Sequence, residues 1–444
     1  MPIILASCGA RSSLAIDPYS ESPGSGGASL AGGATNYGRF TNVGAGSSLG
    51  GHTNVGGATG GSNQGGAGTS AGGATQTTGG SATGGASTPA SVKNIYAGTH
   101  YSCALMDDGT VRSWGSNDSG RLGNGSTADS RIPVTVSGLD QVTALSTGSR
   151  HACALRKGGT IQCWGDNTYG QLGNGTTTLS MTPVNVIGIT QAAAIAAGVD
   201  HSCALLQDAT VQCWGSNDYG QLGDGTTSSS NRPVAVVSLY SVSAIAAGRK
   251  DSCALPLSST GAVTCWGWNS HKQLGGDFTG FYSVSQVTVP GAVSARALIA
   301  GDQHNCVLIG GGSSSGTVQC WGWNYWGQLG IGTWADNGPA NVTGITSATA
   351  VTASSQTCAL LSGGKVKCWG YNSEGELGDG TTLEKDVPVD VMGLANVSAI
   401  SAGSAHTCAL LSSGQVKCWG DNALGELGDG TLTSSTVPVT VTGL

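Results

Sequence analysis

The chain has 444 residues, 76 of them glycine, with 10% charged side chains against about 25% in an ordinary soluble domain. No apolar run approaches the ~20 residues of a membrane-spanning helix, and this much glycine destabilises helix interiors by up to about 1 kcal/mol per position, which excludes helical membrane proteins and helical bundles. A net charge of −7 with only 18 scattered Lys and Arg excludes a nucleic-acid footprint, leaving an all-β chain punctuated by Gly and Trp.

Residues 1–20 open with MPIILASCGARSS, in which Leu5-Ala6-Ser7-Cys8 resembles the lipobox of bacterial lipoproteins. The chemistry needs small residues at a cleavage point and then a thiol to carry acyl chains. Cys8 is therefore the expected lipid anchor. Only seven residues precede it and none is basic, so a translation start further upstream is expected. Residues 21–91 are Gly/Ala/Ser/Thr-rich, with short units recurring at 32–35, 56–59 and 72–75. With hardly any large apolar side chain to offset ordering entropy, the segment reads as a flexible tether. Its r.m.s. reach is about 45 Å.

From residue 92 to 444 one pattern recurs: an Ala-Gly segment, Cys-Ala-Leu, a turn, Cys-Trp-Gly, a Gly-rich loop and a Pro-Val strand. The first cysteine of each unit falls at Cys103, Cys153, Cys203, Cys253, Cys306, Cys358 and Cys408, steps of 50, 50, 50, 53, 52 and 50 residues. Periods of this size mean solenoids or propellers. Each unit holds four short alternating or β-branched runs, as in VSAISAG, TCALL, QVKCWG and VPVTV of the last. Four strands taken seven times predict a seven-bladed β-propeller. Residues 191–197 (QAAAIAA) have helical propensity, but they align with QVTALST at 141–147, so the repeat register assigns a strand.

The units WGSNDSGRLGNGS (114–126), WGDNTYGQLGNGT (164–176) and WGDNALGELGDGT (419–431), each preceded by a segment such as His406-Thr407-Cys408-Ala409-Leu410, resemble the regulator of chromosome condensation repeat. The resemblance covers about 350 residues and recurs seven times, and it implies a seven-bladed propeller. Some members of that family are guanine-nucleotide exchange factors that rely on a basic chromatin-binding tail, which this sequence lacks. A light-sensing member clusters tryptophans beside its Ala-Gly segments, where this chain has Thr99-His100, Ser149-Arg150 and Val199-Asp200. A secreted member inhibits an enzyme through an aromatic face, and that mode of binding is the one the resemblance carries over.

Six repeats contain two cysteines each: Cys153/Cys163, Cys203/Cys213, Cys253/Cys265, Cys306/Cys320, Cys358/Cys368 and Cys408/Cys418. All separations are even. Across a hairpin with an odd-numbered loop, such residues face each other. In the last repeat, Leu411 opposite Gln415 closes a turn of Ser412-Ser413-Gly414 and sets Cys408 against Cys418. Six intra-blade disulfides follow, worth roughly 2–3 kcal/mol each, and they point to an oxidising compartment. Cys103 faces Ser113 and is left as a buried, inert thiol. The spacings are not those of zinc knuckles, so no metal and no cofactor is expected.

Repeated residues read as scaffold. The tryptophans Trp114, Trp164, Trp214, Trp266, Trp321, Trp369 and Trp419 are core, and His151, His201, His304 and His406 are structural. The DNxxGxLGDG loops are turn formers rather than calcium loops, because they lack the bidentate carboxylate. Function should appear where repeats differ. The position before Gly in WGxNxxG reads Ser119, Tyr169, Tyr219, His271, Trp326, Glu374, Leu424, and that after Trp-Gly reads Ser116, Asp166, Ser216, Trp268, Trp323, Tyr371, Asp421. Aromatics occupy a contiguous arc through units two to six. Tyr325, Trp334 and a Phe278…Phe281-Tyr282 insert add to it. Trp and Tyr on loops are typical interface anchors. The expected function is therefore an extracytoplasmic, lipid-anchored, monomeric binding or scaffold propeller. Its partner-binding arc comprises Tyr169, Tyr219, Trp268, His271, Trp323, Tyr325, Trp326, Trp334 and Tyr371, and its partner is a protein or glycan of the cell envelope or exterior. The alternatives are a propeller hydrolase or lyase acting on an envelope polysaccharide, which needs an unrepeated polar cluster at the axial mouth, and a purely structural spacer, which needs the arc to be buried.

Overall fold

Each repeat folds into four antiparallel strands, because its alternating apolar residues are bounded by glycines that take left-handed turns. In the computed structural model, which describes residues 90–258, 262–276, 278–310 and 316–444, these strands form seven four-stranded sheets of consecutive strands. The expectations for Cys8 and for residues 21–89 lie outside the described residues. No helix in the described residues is long and apolar enough to cross a membrane.

The first blade shows the plan. β1 (Val92–Ala97), β2 (Tyr101–Met106), β3 (Val111–Gly115) and β4 (Ser130–Thr135) pair in chain order. β1 is innermost and packs against its counterparts Val142–Thr147 and Val397–Ala402 in the neighbouring blades. β4 is outermost and half-exposed. It carries Pro133, a residue that blunts an open sheet edge. The Ala-rich segment of the third repeat, Ala192–Ala197, is the inner strand of its blade, so sheet pairing overrides its helical propensity.

The core lies between blades rather than within them. One apolar cluster fills each of the seven seams, and the one containing Val92, Ile95, Trp114, Leu410 and Val416 joins the last blade to the first. The ring therefore closes by side-chain packing, with β1 paired inside its own blade. At every seam the fully buried indole of one blade donates its Nε1–H to a loop carbonyl of the blade before it, as from Trp164 to Arg121 at 2.9 Å and from Trp419 to Glu376 at 2.8 Å. Glycine is required where that loop presses on the indole. At Gly173 (φ 64°) a Cβ would lie 2.8 Å from Trp214 Nε1.

The asparagine of each WGxN loop ties the loop together from inside. Asn217 accepts the Leu222 N–H through Oδ1 at 2.9 Å and donates Nδ2 to the carbonyls of Thr226 and Ser228, both at 3.1 Å. The inward carbonyls are thus satisfied by an amide. The cysteines pair across β2–β3-type hairpins as Cys153–Cys163, Cys203–Cys213, Cys253–Cys265, Cys306–Cys320, Cys358–Cys368 and Cys408–Cys418. Cys103 lies buried opposite Ser113, and burial pushes its thiol well above the ordinary range.

Candidate functional site

The Ala-Gly turns and the WGxN loops emerge on one face, tied together by backbone hydrogen bonds. Ser116 N–H donates to His100 O at 2.7 Å, Trp268 N–H to Lys250 O at 2.9 Å, and Asp421 N–H to Ala405 O at 2.7 Å. The residues that vary most between repeats are therefore held on a rigid rim around the axis.

Over blades three to six this rim is aromatic and continuous. Tyr282 meets Tyr219 at 6.4 Å between ring centroids, Tyr219 meets Trp268 at 6.0 Å, and Trp268 meets His271 at 5.8 Å. The chain continues from His271 to Trp323 at 5.7 Å, to Trp326 at 4.5 Å and to Tyr371 at 4.6 Å, with Tyr325 stacked on Trp323 at 6.1 Å. Offset and edge contacts of this kind add about 0.5–1.5 kcal/mol each beyond burial, so the rings stiffen one another. Lys250 Nζ lies 4.5 Å from the Tyr219 centroid and 5.8 Å from that of Trp268, a cation over ring faces. His271 Nδ1 is 2.9 Å from Asp336, which also accepts the Asn324 N–H at 2.9 Å.

The arc is graded in depth. Tyr371 is buried and forms the floor, Trp323, Trp326 and Trp268 are half-buried, and Tyr325 and Tyr282 are 68% and 47% exposed. Seven of the nine arc residues named from the sequence thus stand in one ring chain. Tyr169 and Trp334 are exposed, but no ring contact among the described residues joins them to it.

Elsewhere the rim carries ionisable groups. Burial pushes the Asp200 carboxyl up to about 6, reinforced by the Asp166 carboxylate and opposed by Lys250, Arg150 and Arg249. At the seam between the last blade and the first, His100 Nδ1 lies 3.2 Å from Glu426 Oε1, with the Glu426 side chain fully buried. Asp421 completes a group whose ligand atoms all lie within 4.8 Å of one another. Sequence reading missed this cluster because 326 residues separate His100 from Glu426. The signal lay in comparing each Ala-Gly turn with the loop of the preceding repeat rather than its own.

The four histidines before the Cys-Ala-Leu cysteines are buried clamps between blades. His151 Nε2 meets Ser202 Oγ at 2.9 Å, His201 meets Ser252 at 2.9 Å, His304 meets Thr357 at 2.7 Å, and His406 meets Ser102 at 2.8 Å. Burial pushes them down to about 4 for His151 and about 3 for the others, so they are neutral. The fourth blade substitutes Asp251, which accepts from Asn305 Nδ2 at 2.8 Å.

A family model described as the RCC1-like domain matches residues 53–358, and regulator of chromosome condensation (RCC1) repeat models match 363–410 and 397–426. Among solved structures, the chain is similar to yeast RCC1 (Prp20) bound to Kap60, at 18% identity and TM-score 0.67, covering 80% of this chain and 85% of that one. Human WBSCR16 follows at 23% identity and TM-score 0.66, over 75% and 94% of the two chains. Prp20p from Saccharomyces cerevisiae, described with its binding to Gsp1p and histones, is 19% identical at TM-score 0.64, over 80% and 88%. No curated protein matches the chain significantly by sequence.

Proposed function

The chain belongs to the RCC1-like domain family, and from that membership we propose that it is a binding propeller which engages a protein partner through the aromatic arc on its loop face. The observation that carries this reading is the unbroken ring chain from Tyr282 to Tyr371, buried at its floor and exposed at Tyr325 and Tyr282. Rigid, half-exposed Trp and Tyr lose little entropy on binding, and such residues dominate interface energetics. Yeast relatives of this shape are described bound to Kap60 and binding Gsp1p and histones, which supports a protein rather than a small ligand.

Six disulfides support an oxidising, extracytoplasmic setting. In this proposal the signal-like segment 1–20 contains the acylated Cys8, residues 21–91 act as the tether, and a monomeric propeller works at the cell envelope. The test uses the immobilised full chain, with disulfides intact, against the envelope and secreted fractions of the source cells and against a glycan array. A protein ligand retained by wild type and lost by the Trp323→Ala and Tyr325→Ala variants is the expected result. Ligands retained equally by the variants would move the site elsewhere, and binding confined to the array would make the arc a glycan platform.

A further inference from the structure

The closing seam holds three side chains that no other seam combines. At the equivalent seams the His100 position is Arg150, Asp200, Lys250, Gln303, Ser355 or Ala405. The Asp421 position is Ser116, Asp166, Ser216, Trp268, Trp323 or Tyr371, and the Glu426 position is Arg121, Gln171, Gln221, Gln273, Gln328 or Glu376. Only between the last blade and the first do an imidazole and two carboxylates converge, their ligand atoms within 4.8 Å of one another.

We propose that His100, Asp421 and Glu426 form a binding site for a divalent transition-metal cation of the zinc or manganese class, lying across the seam that closes the propeller. One imidazole with two carboxylates is a donor set that suits such ions. The 3.2 Å between His100 Nδ1 and Glu426 Oε1 matches the ~3.0–3.5 Å edge of a polyhedron built on metal–ligand bonds of about 2.0–2.2 Å. Both carboxylates are already oriented. Glu426 Oε2 accepts the Leu424 N–H at 2.9 Å, and Asp421 Oδ1 accepts the Ala423 N–H at 3.0 Å and the Ser434 hydroxyl at 3.3 Å. Such supporting hydrogen bonds fix ligand direction in metal sites. The buried Glu426 carboxylate faces a second carboxylate, an arrangement that repels itself and that a cation relieves. His100 is 20% exposed, so an ion can enter from the rim. Three protein ligands leave coordination positions for water or for a group brought by a partner. The proposal stands independently of the aromatic arc and departs from the sequence expectation of no metal.

The repeats themselves supply the test variants, since His100→Gln, Asp421→Ser and Glu426→Gln each install a residue that a sibling seam already carries. The chelator-treated full chain, disulfides intact, is titrated calorimetrically with zinc chloride and, separately, with manganese chloride, and its thermal unfolding is followed with and without metal. Wild type should bind one equivalent at this site and unfold at higher temperature with metal. Each variant should lose that equivalent or weaken it at least tenfold, while unfolding normally in metal-free buffer. Substitution with Co2+ should give a visible ligand-field band in wild type that is absent in His100→Gln. Wild type and variants binding alike, or no metal-dependent shift in wild type, would overturn the site and leave His100–Glu426 as an ion pair that clamps the ring.

Discussion

The indole N–H of Trp114, in the first blade, donates to the carbonyl oxygen of Glu426, in the last, at 2.8 Å. The same bond joins every other consecutive pair of blades, at 2.8–3.0 Å. The closing seam is therefore chemically the same kind of contact as the six internal ones, although its two sides are over 300 residues apart in sequence. Trp114→Phe removes the donor, leaves the Glu426 carbonyl only the Ser102 hydroxyl at 3.3 Å and opens a small cavity, together costing about 2–4 kcal/mol. Trp214→Phe, at an internal seam, should cost the same within about 1 kcal/mol. Guanidinium unfolding of both variants with disulfides intact checks this. A far smaller loss for Trp114→Phe would mean that the ring is held shut by something other than this packing.

The first blade lacks a bridge for one reason only: Ser113 stands where its siblings have cysteine. Cys103 and Ser113 are directly paired in register, as Cys408 and Cys418 are, where the Cα atoms lie 4.1 Å apart. Ser113→Cys should form a seventh disulfide on oxidative expression. The gain from loop closure is about 2–3 kcal/mol, reduced by loss of the Ser113 hydroxyl bond to the Leu122 carbonyl at 2.7 Å. Peptide mapping without reductant reads the bridge, and thermal unfolding reads the gain. A thiol still free at Cys103 in the variant would show that the blade cannot bring the two side chains together.

How much of this was legible in sequence depends on the distance over which each feature is written. The blades, their strand order and the cysteine pairs were readable because each is encoded within a single repeat of some 50 residues and recurs. The rings of the arc were readable as types, because Trp323 and Trp326 break a repeated pattern. Their depth was not, since the burial of Tyr371 depends on Trp326 of the blade before it. The His100–Glu426 pair was invisible because neither residue is unusual for its own repeat. Only closing the ring puts a histidine beside a glutamate where other seams put glutamine, arginine or glutamate beside some other side chain. Absence of a strand shared between the chain's ends was likewise open until β1 was seen to pair with β2.

Depth separates binding from stability within the arc. Tyr325 is 68% exposed and Tyr371 is buried, yet both belong to one ring chain through Trp326. Tyr325→Ala should cost only about 1–2 kcal/mol, from its two ring contacts with Trp323 and Trp326, and weaken partner binding at least tenfold. Tyr371→Ala should destabilise by about 3–5 kcal/mol as a buried aromatic truncation. Thermal unfolding and binding of the two variants side by side decide it. Equal stability losses would mean that Tyr325 is packed as scaffold and is no anchor.

The buried carboxyl of Asp251 makes stability depend on pH in a direction opposite to that of the histidines it replaces. Burial pushes this group up to about 7, with the Asn305 amide opposing, whereas an unfolded aspartate titrates near 3.9. Between about pH 4 and 7 the folded chain therefore holds a proton that the unfolded chain has released. The stability this gives is full below pH 4 and is lost as pH rises through 7. His151, His201, His304 and His406 are pushed down to about 3–4. They stay neutral in the fold while unfolded histidine charges below about 6.5, so they remove stability as pH falls from there. Asp251→Asn isolates the first effect, because an amide can still accept from Asn305 and does not titrate, and the histidine contribution cancels between variant and wild type. The stability of the variant relative to wild type should rise by about 2–3 kcal/mol between pH 5 and pH 8, read from denaturant unfolding at both. A difference independent of pH would mean that Asp251 is charged in the fold throughout, held by the Asn305 amide and the backbone donors around it more strongly than burial opposes.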